Sequence, residues 1–100
     1  MKNKASANAE KLAKTLRHIA HPLRLLIICL LARQEMLVGE LTAQLGTTKG
    51  NISQHLRILA DNGLVASRRD GNKIIYRIKD GKLVKLLDTM KKLYCPNFNV

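Results

Sequence analysis

Apolar residues recur along this chain at helical spacing, with one interruption near the middle of its second half. Leu12, Leu16 and Ile19 are separated by Lys and Arg, which predicts a first helix from about Asn8, within residues 7–20. His21-Pro22 breaks that stripe. Pro22 suits the first turn of a new helix, where a missing N–H would have no intrahelical partner anyway. Residues 22–33 are apolar nearly all round and predict a buried second helix. Val38, Leu41 and Leu45 predict a short third helix over 38–45. Gly46-Thr47-Thr48 reads as a turn, with Thr48 as N-cap of a fourth helix. In that helix Ile52, Leu56 and Leu59 fall at i, i+4 and i+7, and it runs to about Asn62, where Gly63 ends it.

The period then changes from helical to strand-like. Leu64–Arg69 and Lys73–Ile78 flank Asp70-Gly71-Asn72, which predicts a β-hairpin on a glycine turn. Asp80 is placed to cap a last helix over 81–94, with Leu83, Leu86, Leu87, Met90 and Leu93 or Tyr94 on one side. Residues 1–6 are small, polar and basic and read as a disordered arm. Two short helices on a glycine-containing turn make a helix-turn-helix over 38–62, and a hairpin over 64–79 beside it makes a wing. The expected fold is mainly α with a β-hairpin wing, a winged helix-turn-helix in the order α-α-α-α-β-β-α. Residues 1–100 form one domain with a modest core and no repeats or linkers.

Charge narrows the function. Lys and Arg number 18 against 7 Asp and Glu, a net charge of +11, which favours a polyanionic partner over the bland alternative of an inert basic surface. The polar face of the fourth helix shows Lys49, Asn51, Ser53, Gln54 and Arg57, with His55 at its edge. These groups donate and accept as base edges and phosphates require, and none is a carboxylate. Arg68, Arg69 and Lys73 crowd the wing tip against Asp70 alone, placed for phosphates or the minor groove. Only Tyr76, Tyr94 and Phe98 are aromatic, which argues against single-strand or RNA recognition by stacking.

Other classes lose ground on the same reading. There is no Cys-x-x-Cys, no phosphate-cradling glycine loop and no Ser/His/Asp grouping, so an enzyme is not expected. Met1-Lys2-Asn3-Lys4 is not followed by an apolar run, and Leu25–Ala32 is too short to span a bilayer. The expectation is a cytoplasmic protein with no membrane partner, whose two cysteines are thiols. The two terminal helices carry more apolar residues than a small winged domain can cover, which favours a homodimer. The alternative is that both pack on the domain's own core.

With this layout in view, the chain resembles the ArsR/SmtB family of small bacterial repressors over about residues 10–95. The matching residues are His21-Pro22-Leu23-Arg24-Leu25, Gly39-Glu40-Leu41 and Ile52-Ser53-Gln54-His55-Leu56-Arg57-Ile58-Leu59. They continue with Gly63-Leu64-Val65 and with Arg68-Arg69-Asp70-Gly71 leading to Ile75-Tyr76. The resemblance implies a dimer on a palindromic double-stranded DNA operator, released when an inducer binds, with the first and last helices at the dimer interface. Resemblance and facing together make Lys49, Gly50, Ser53, Gln54 and His55 the recognition positions. Thr48 and Arg57 lie nearer phosphate, and Arg68, Arg69 and Lys73 supply sequence-independent affinity. Relatives often carry Gln-Ser where this chain has Lys49-Gly50, which implies a different preferred operator. His55 has a second reading, as a capping or packing residue beside Leu56 and Leu59.

Many relatives sense metals. One family site uses cysteines around Val38-Gly39-Glu40-Leu41, and here there are none. Another uses Asp and His at the start of the last helix with His or Glu further along. Asp80 is available, but Gly81 to Tyr94 hold neither His nor Glu, and His18, His21 and His55 are scattered. No metal and no other cofactor is expected. Cys29, inside Leu26-Ile27-Ile28-Cys29-Leu30-Leu31, and Cys95, in Leu93-Tyr94-Cys95-Pro96, resemble instead the pair in the persulfide- and redox-responsive BigR/SqrR-type branch. That likeness implies a dimeric, sequence-specific transcriptional repressor. Reactive sulfur species or an oxidant would act at Cys29 and Cys95 and release its operator. The alternatives are a buried small hydrophobe for Cys29, a surface thiol without a role for Cys95, and a metal-responsive or ligand-independent DNA-binding regulator of the same fold.

Overall fold

A computed structural model describes residues 3–100. Five helices and three strands follow in the order α1 (Lys4–Ile19), α2 (Pro22–Arg33), β1 (Met36–Leu37), α3 (Val38–Leu45), α4 (Lys49–Asp61), β2 (Val65–Asp70), β3 (Lys73–Ile78) and α5 (Gly81–Tyr94). The winged helix-turn-helix read from the sequence is the fold observed, with two differences.

The first concerns the arm expected over 1–6. Residues 4–6 are helical, because Asn3 caps α1: its Oδ1 accepts from the Ser6 N–H at 2.8 Å. Lys and Ala in the first turn are good helix formers, so the absence of apolar residues hid a start that the cap supplies. Met1 and Lys2, the rest of that arm, lie outside the described residues. The second is β1, absent from the expected order. Met36 pairs with Tyr76 and Leu37 with Ile75, making a three-stranded antiparallel sheet ordered β1-β3-β2. Two residues are too few to carry a period, so only the pairing reveals them.

Elsewhere the local signals act as expected. α2 begins on Pro22, with His21 as N-cap. Gly46 closes α3 with φ 66°, a left-handed conformation that costs other residues a Cβ clash. The hairpin turns in two residues, with Asp70 paired to Lys73 and Gly71 at φ 65° in the first central position.

The core is one cluster. Ile27, Ile28, Leu30 and Leu31 of α2 meet Leu41 of α3, then Ile52, Leu56 and Leu59 of α4. Met36, Leu64, Val65, Leu83 and Leu87 close it from the sheet and α5, so α4 is fixed on its apolar side by elements from the whole chain. α1 leaves α2 at 89° and contributes only Ile19 to the buried set. The Cα radius of gyration is 14.7 Å against about 13 Å for a compact chain of this length. The difference reflects projecting parts. On those parts Leu12 is 67% exposed, Leu93 72% and Tyr94 79%, with Leu16, Leu86 and Met90 also open. A groove of about 670 Å³ between α1 and α5 is lined by Leu12, Leu16, Leu83 and Leu86 together with the polar Asn8 and Thr15 and the charged Lys11, Asp80 and Lys82. Among the described residues no single helix is long and apolar enough to cross a membrane.

Candidate nucleic-acid interface

The entry into α4 is built by hydrogen bonds local to the turn. Thr48 Oγ1 accepts from the Asn51 N–H at 3.1 Å, and Asn51 Nδ2 donates to Thr47 Oγ1 at 3.0 Å. Asn51 is thereby committed to the turn. Ile52, Leu56 and Leu59 are fully buried, so the helix's rotation is fixed and its other side faces outward. On that side Lys49, Gly50, Ser53, Gln54 and Arg57 are exposed, with Thr48 just ahead of them. Nothing lies within 4 Å of where a Cβ on Gly50 would stand, so no packing inside the protein demands glycine there. The Lys49 stem reaches back toward Gly39, whose Cβ position would lie 4.0 Å from Lys49 Cε. No acidic side chain stands in the first turn of α4, whose free N–H groups and helix dipole favour an anion.

His55 is placed apart from these residues. It is only 8% exposed, and its Nδ1 accepts a hydrogen bond from Arg24 Nε of α2 at 3.1 Å. The His21 ring lies 4.5 Å away, centroid to centroid, at 43°. His21 in turn caps α2, its Nδ1 accepting from the Leu23 N–H at 3.1 Å. Arg24 extends the chain of contacts to α1, donating from Nη1 to the His18 carbonyl at 3.3 Å. Burial holds His55 below the usual histidine range, helped by His21 and then Arg24. His18 is lowered in the same way by burial, with Lys14, Arg24 and Arg17 adding to it, and its buried Nε2 has no hydrogen-bond partner among the described residues. The spacing held a signal for this: His55 is three residues after Ile52 and four before Leu59, on the apolar stripe itself.

The wing brings Arg68, Arg69 and Lys73 to one exposed hairpin end. Successive residues point to opposite faces of a strand, so Arg68 and Arg69 diverge, while Lys73 sits across from Asp70. Arg68 Nη1 donates to Glu35 Oε1, tying the wing to the turn after α2. That partner lies 33 residues away, which no local pattern reveals.

The two cysteines are free thiols on different elements. Cys29 is buried on α2 and Cys95 is exposed at the C-cap of α5. A cavity of about 230 Å³ runs between α2 and α5, lined by Cys29, Arg33, Leu87, Asp88, Lys91 and Val100. Lys91 is one turn before Cys95, whose N–H donates to the Lys91 carbonyl at 2.8 Å. Burial pushes the Cys29 thiol up, Lys91 opposes this, and Asp88 adds to it. Lys91 Nζ also donates to the Val100 carbonyl at 3.1 Å and stands 5.0 Å over the Phe98 ring, holding the C-terminal residues against α5. Among the described residues no group of three or more His, Cys, Asp or Glu converges to hold a metal ion.

Comparison with known proteins agrees with this geometry. The family model described as "Bacterial regulatory protein, arsR family" matches residues 21–67, from the α2 cap into β2. The HTH-type transcriptional regulator YgaV of Escherichia coli is 41% identical, covering 90% of this chain and 92% of its own length. The transcriptional repressor BigR from Xylella fastidiosa superposes with a TM-score of 0.84 at 32% identity, covering 95% of this chain and 98% of its own. The homodimeric winged helix-turn-helix domain of Mb0332 from Mycobacterium bovis superposes with a TM-score of 0.82 at 25% identity, covering 99% of this chain and 92% of its own. These relatives are regulators rather than enzymes, and this chain belongs to the arsR family of bacterial regulatory proteins.

Proposed function

We propose that this regulator is a dimeric repressor that reads a palindromic DNA operator through α4 and releases it when Cys29 and Cys95 react with a persulfide or an oxidant. The observation that carries the DNA reading is the outward side of α4. Lys49, Gly50, Ser53, Gln54 and Arg57 are exposed there on a helix fixed by a fully buried opposite side, beside a basic wing. In this reading Ser53 and Gln54 meet base edges, and Lys49 bonds guanine or a phosphate. Gly50 admits close backbone approach. Thr48, Arg57, Arg68, Arg69 and Lys73 meet phosphates. His55 takes the second of its two sequence readings, inside the protein.

The open apolar groove between α1 and α5 supports dimerisation, as does the homodimeric state of the Mb0332 domain. A two-fold axis there sets two copies of α4 about one helical turn of DNA apart.

The burial of Cys29 and the exposure of Cys95 support an order for the thiol step. Cys95 is exposed and meets the reagent first; Cys29 is buried with its thiol held protonated, and resolves. Cys95 thiolate attacks the outer sulfur of a persulfide RSSH, giving a Cys95 persulfide and RSH. Cys29 sulfur then attacks the inner sulfur, forming the Cys29–Cys95 disulfide and expelling hydrogen sulfide. The two protein thiols are oxidised by two electrons, and the persulfide is reduced to RSH and hydrogen sulfide. With a peroxide, the sulfenic acid on Cys95 plays the same part and water leaves. The link joins α2 to the end of α5 and changes how the dimer helices sit against the recognition helices.

The experiment for the DNA reading is selection of duplexes from a random-sequence pool by the reduced protein, followed by footprinting. Two inverted half-sites protected about 10 base pairs apart are expected. Uniform weak binding with no enriched sequence overturns the reading.

A further inference from the structure

Among the described residues, Arg24 is the side chain whose hydrogen bonds reach both α1 and α4. Its planar guanidinium has donors in fixed directions, so the two acceptors it serves are held in a fixed relation. Nη1 donates to the carbonyl of His18 in the last turn of α1, and Nε donates to Nδ1 of His55 on the buried side of α4. We propose that Arg24 and His55 are positioning residues that set α4 relative to α1, and that protonation of His55 undoes this setting so that sequence-specific DNA binding weakens in acid. This rests on α4 being the helix that reads DNA.

The donor pattern permits only one protonation state. Nδ1 accepts from Arg24, so the imidazole is neutral and its proton is on Nε2. Adding a proton puts an N–H where the acceptor lone pair was, so donor faces donor beside a permanent cation. The neighbours offer no relief. From the start of α2, His21 lies 4.5 Å away, and its own Nδ1 is already taken by the Leu23 N–H. From α1, His18 stands behind Arg24, with Lys14 and Arg17 beside it. The charges acting on His55 are those of His21 and Arg24, both of the sign that opposes protonation. His55 therefore charges only below the usual histidine range, and charging it breaks the tie from α2 to the polar part of α4's inner side.

The consequence reaches DNA through geometry. α1 contributes to the groove proposed as the dimer seam, and α4 carries the proposed recognition residues. A two-fold reader needs both copies of α4 at one spacing, so loosening the α1–α4 relation lowers specific affinity before it lowers non-specific attraction. The loss of one hydrogen bond to a charged group corresponds to roughly tenfold in an equilibrium.

The test uses the full chain and two readouts from about pH 8 to about pH 5. The first is NMR titration of the imidazoles and backbone amides. The second is affinity for the duplex recovered by pool selection, divided by affinity for a scrambled duplex, which cancels the general gain of positive charge in acid. His55→Asn supplies the control, because its Oδ1 can take the place of Nδ1 and does not titrate. Expected are Nε2–H tautomer signals for His55 at neutral pH and amide shifts in α4 and at Arg17–Ile19 that follow the His55 midpoint. The affinity ratio should fall about tenfold in the wild type while the His55→Asn ratio stays level. A His55 titration that moves neither helix overturns the proposal, as does a ratio that falls equally in both proteins. Should His55→Asn fail to fold, the wild-type imidazole and amide titration decides alone. Should the pool yield no enriched duplex, the DNA reading itself fails, and the same amide titration still decides the positioning.

Discussion

Glu35 accepts a hydrogen bond from Arg68, so one of the three cations at the wing tip is paired to a carboxylate from the turn after α2. Both side chains are about half exposed, at 51% and 44%, and a pair in that setting contributes about 0–1 kcal/mol to stability. In the proposed DNA reading its larger effect falls on binding, because Arg68 would have to leave Glu35 to meet a phosphate. Glu35→Gln should therefore leave the urea midpoint nearly unchanged while steepening the log–log salt dependence of DNA binding by up to about 0.9. Anisotropy titrations over a salt series measure this on random and selected duplexes alike. An unchanged slope would keep Arg68 off the DNA.

Gln54 is exposed on α4 and has no hydrogen-bond partner among the described residues, as a base-reading side chain should. Gln54→Ala should cost about 1–3 kcal/mol on the selected duplex and nothing on scrambled DNA. Equal loss on both duplexes would make Gln54 a phosphate contact instead.

That face was legible from the sequence, and the reasons are local. Ile52, Leu56 and Leu59 set the helix's rotation, Thr48 set its start, and a two-residue glycine turn set the wing. What the sequence concealed are relations between distant positions. β1 has two residues and exists because Met36 and Leu37 find Tyr76 and Ile75 on β3. Arg24 and His55 are 31 residues apart, and Glu35 and Arg68 are 33 apart. His55 shows the limit most clearly, since its chemistry suits a base edge while its spacing puts it on the stripe of Ile52 and Leu59. Its burial favours the packing role. The start of α1 was missed for the opposite reason, because a side-chain cap needs no apolar residue to begin a helix.

Leu12 is 67% exposed on α1 and lines the groove shared with α5, so its own domain gains little from it. Leu12→Glu should leave the fold intact and dissociate the proposed dimer. Each buried leucine contributes about 1.5–3 kcal/mol, and a two-fold axis counts it twice, so the dimer dissociation constant should rise at least about a hundredfold. Sedimentation equilibrium reads the change directly. A variant with the wild-type association would move the seam elsewhere.

His18 and His55 are both held below their ordinary value of 6.5 by burial first and neighbouring cations second. The unfolded chain binds protons at these positions before the folded chain does, so stability rises with pH across that window. Their contribution is complete above about pH 6.5 and is lost as the pH falls from there towards the lowered folded values. Urea midpoints in the wild type should decline on acidification through the mildly acid range, and His55→Asn should flatten part of that decline. A midpoint that rises on acidification would mean that the folded chain binds these protons more tightly than the unfolded chain.

Chemistry at Cys29 and Cys95 is proposed to control DNA binding, and anisotropy titration of the selected duplex reads that control. Reduced protein is compared with protein treated with a persulfide donor, then with the same sample after reductant, in the wild type and in Cys29→Ser. Tight reduced binding should weaken at least about tenfold on treatment, one tenfold step being about 1.4 kcal/mol. Binding should recover on reduction, and Cys29→Ser should lose the response while keeping its reduced affinity. Tight binding indifferent to the donor, or a full response in Cys29→Ser, would leave the Cys29–Cys95 pair without control of DNA binding.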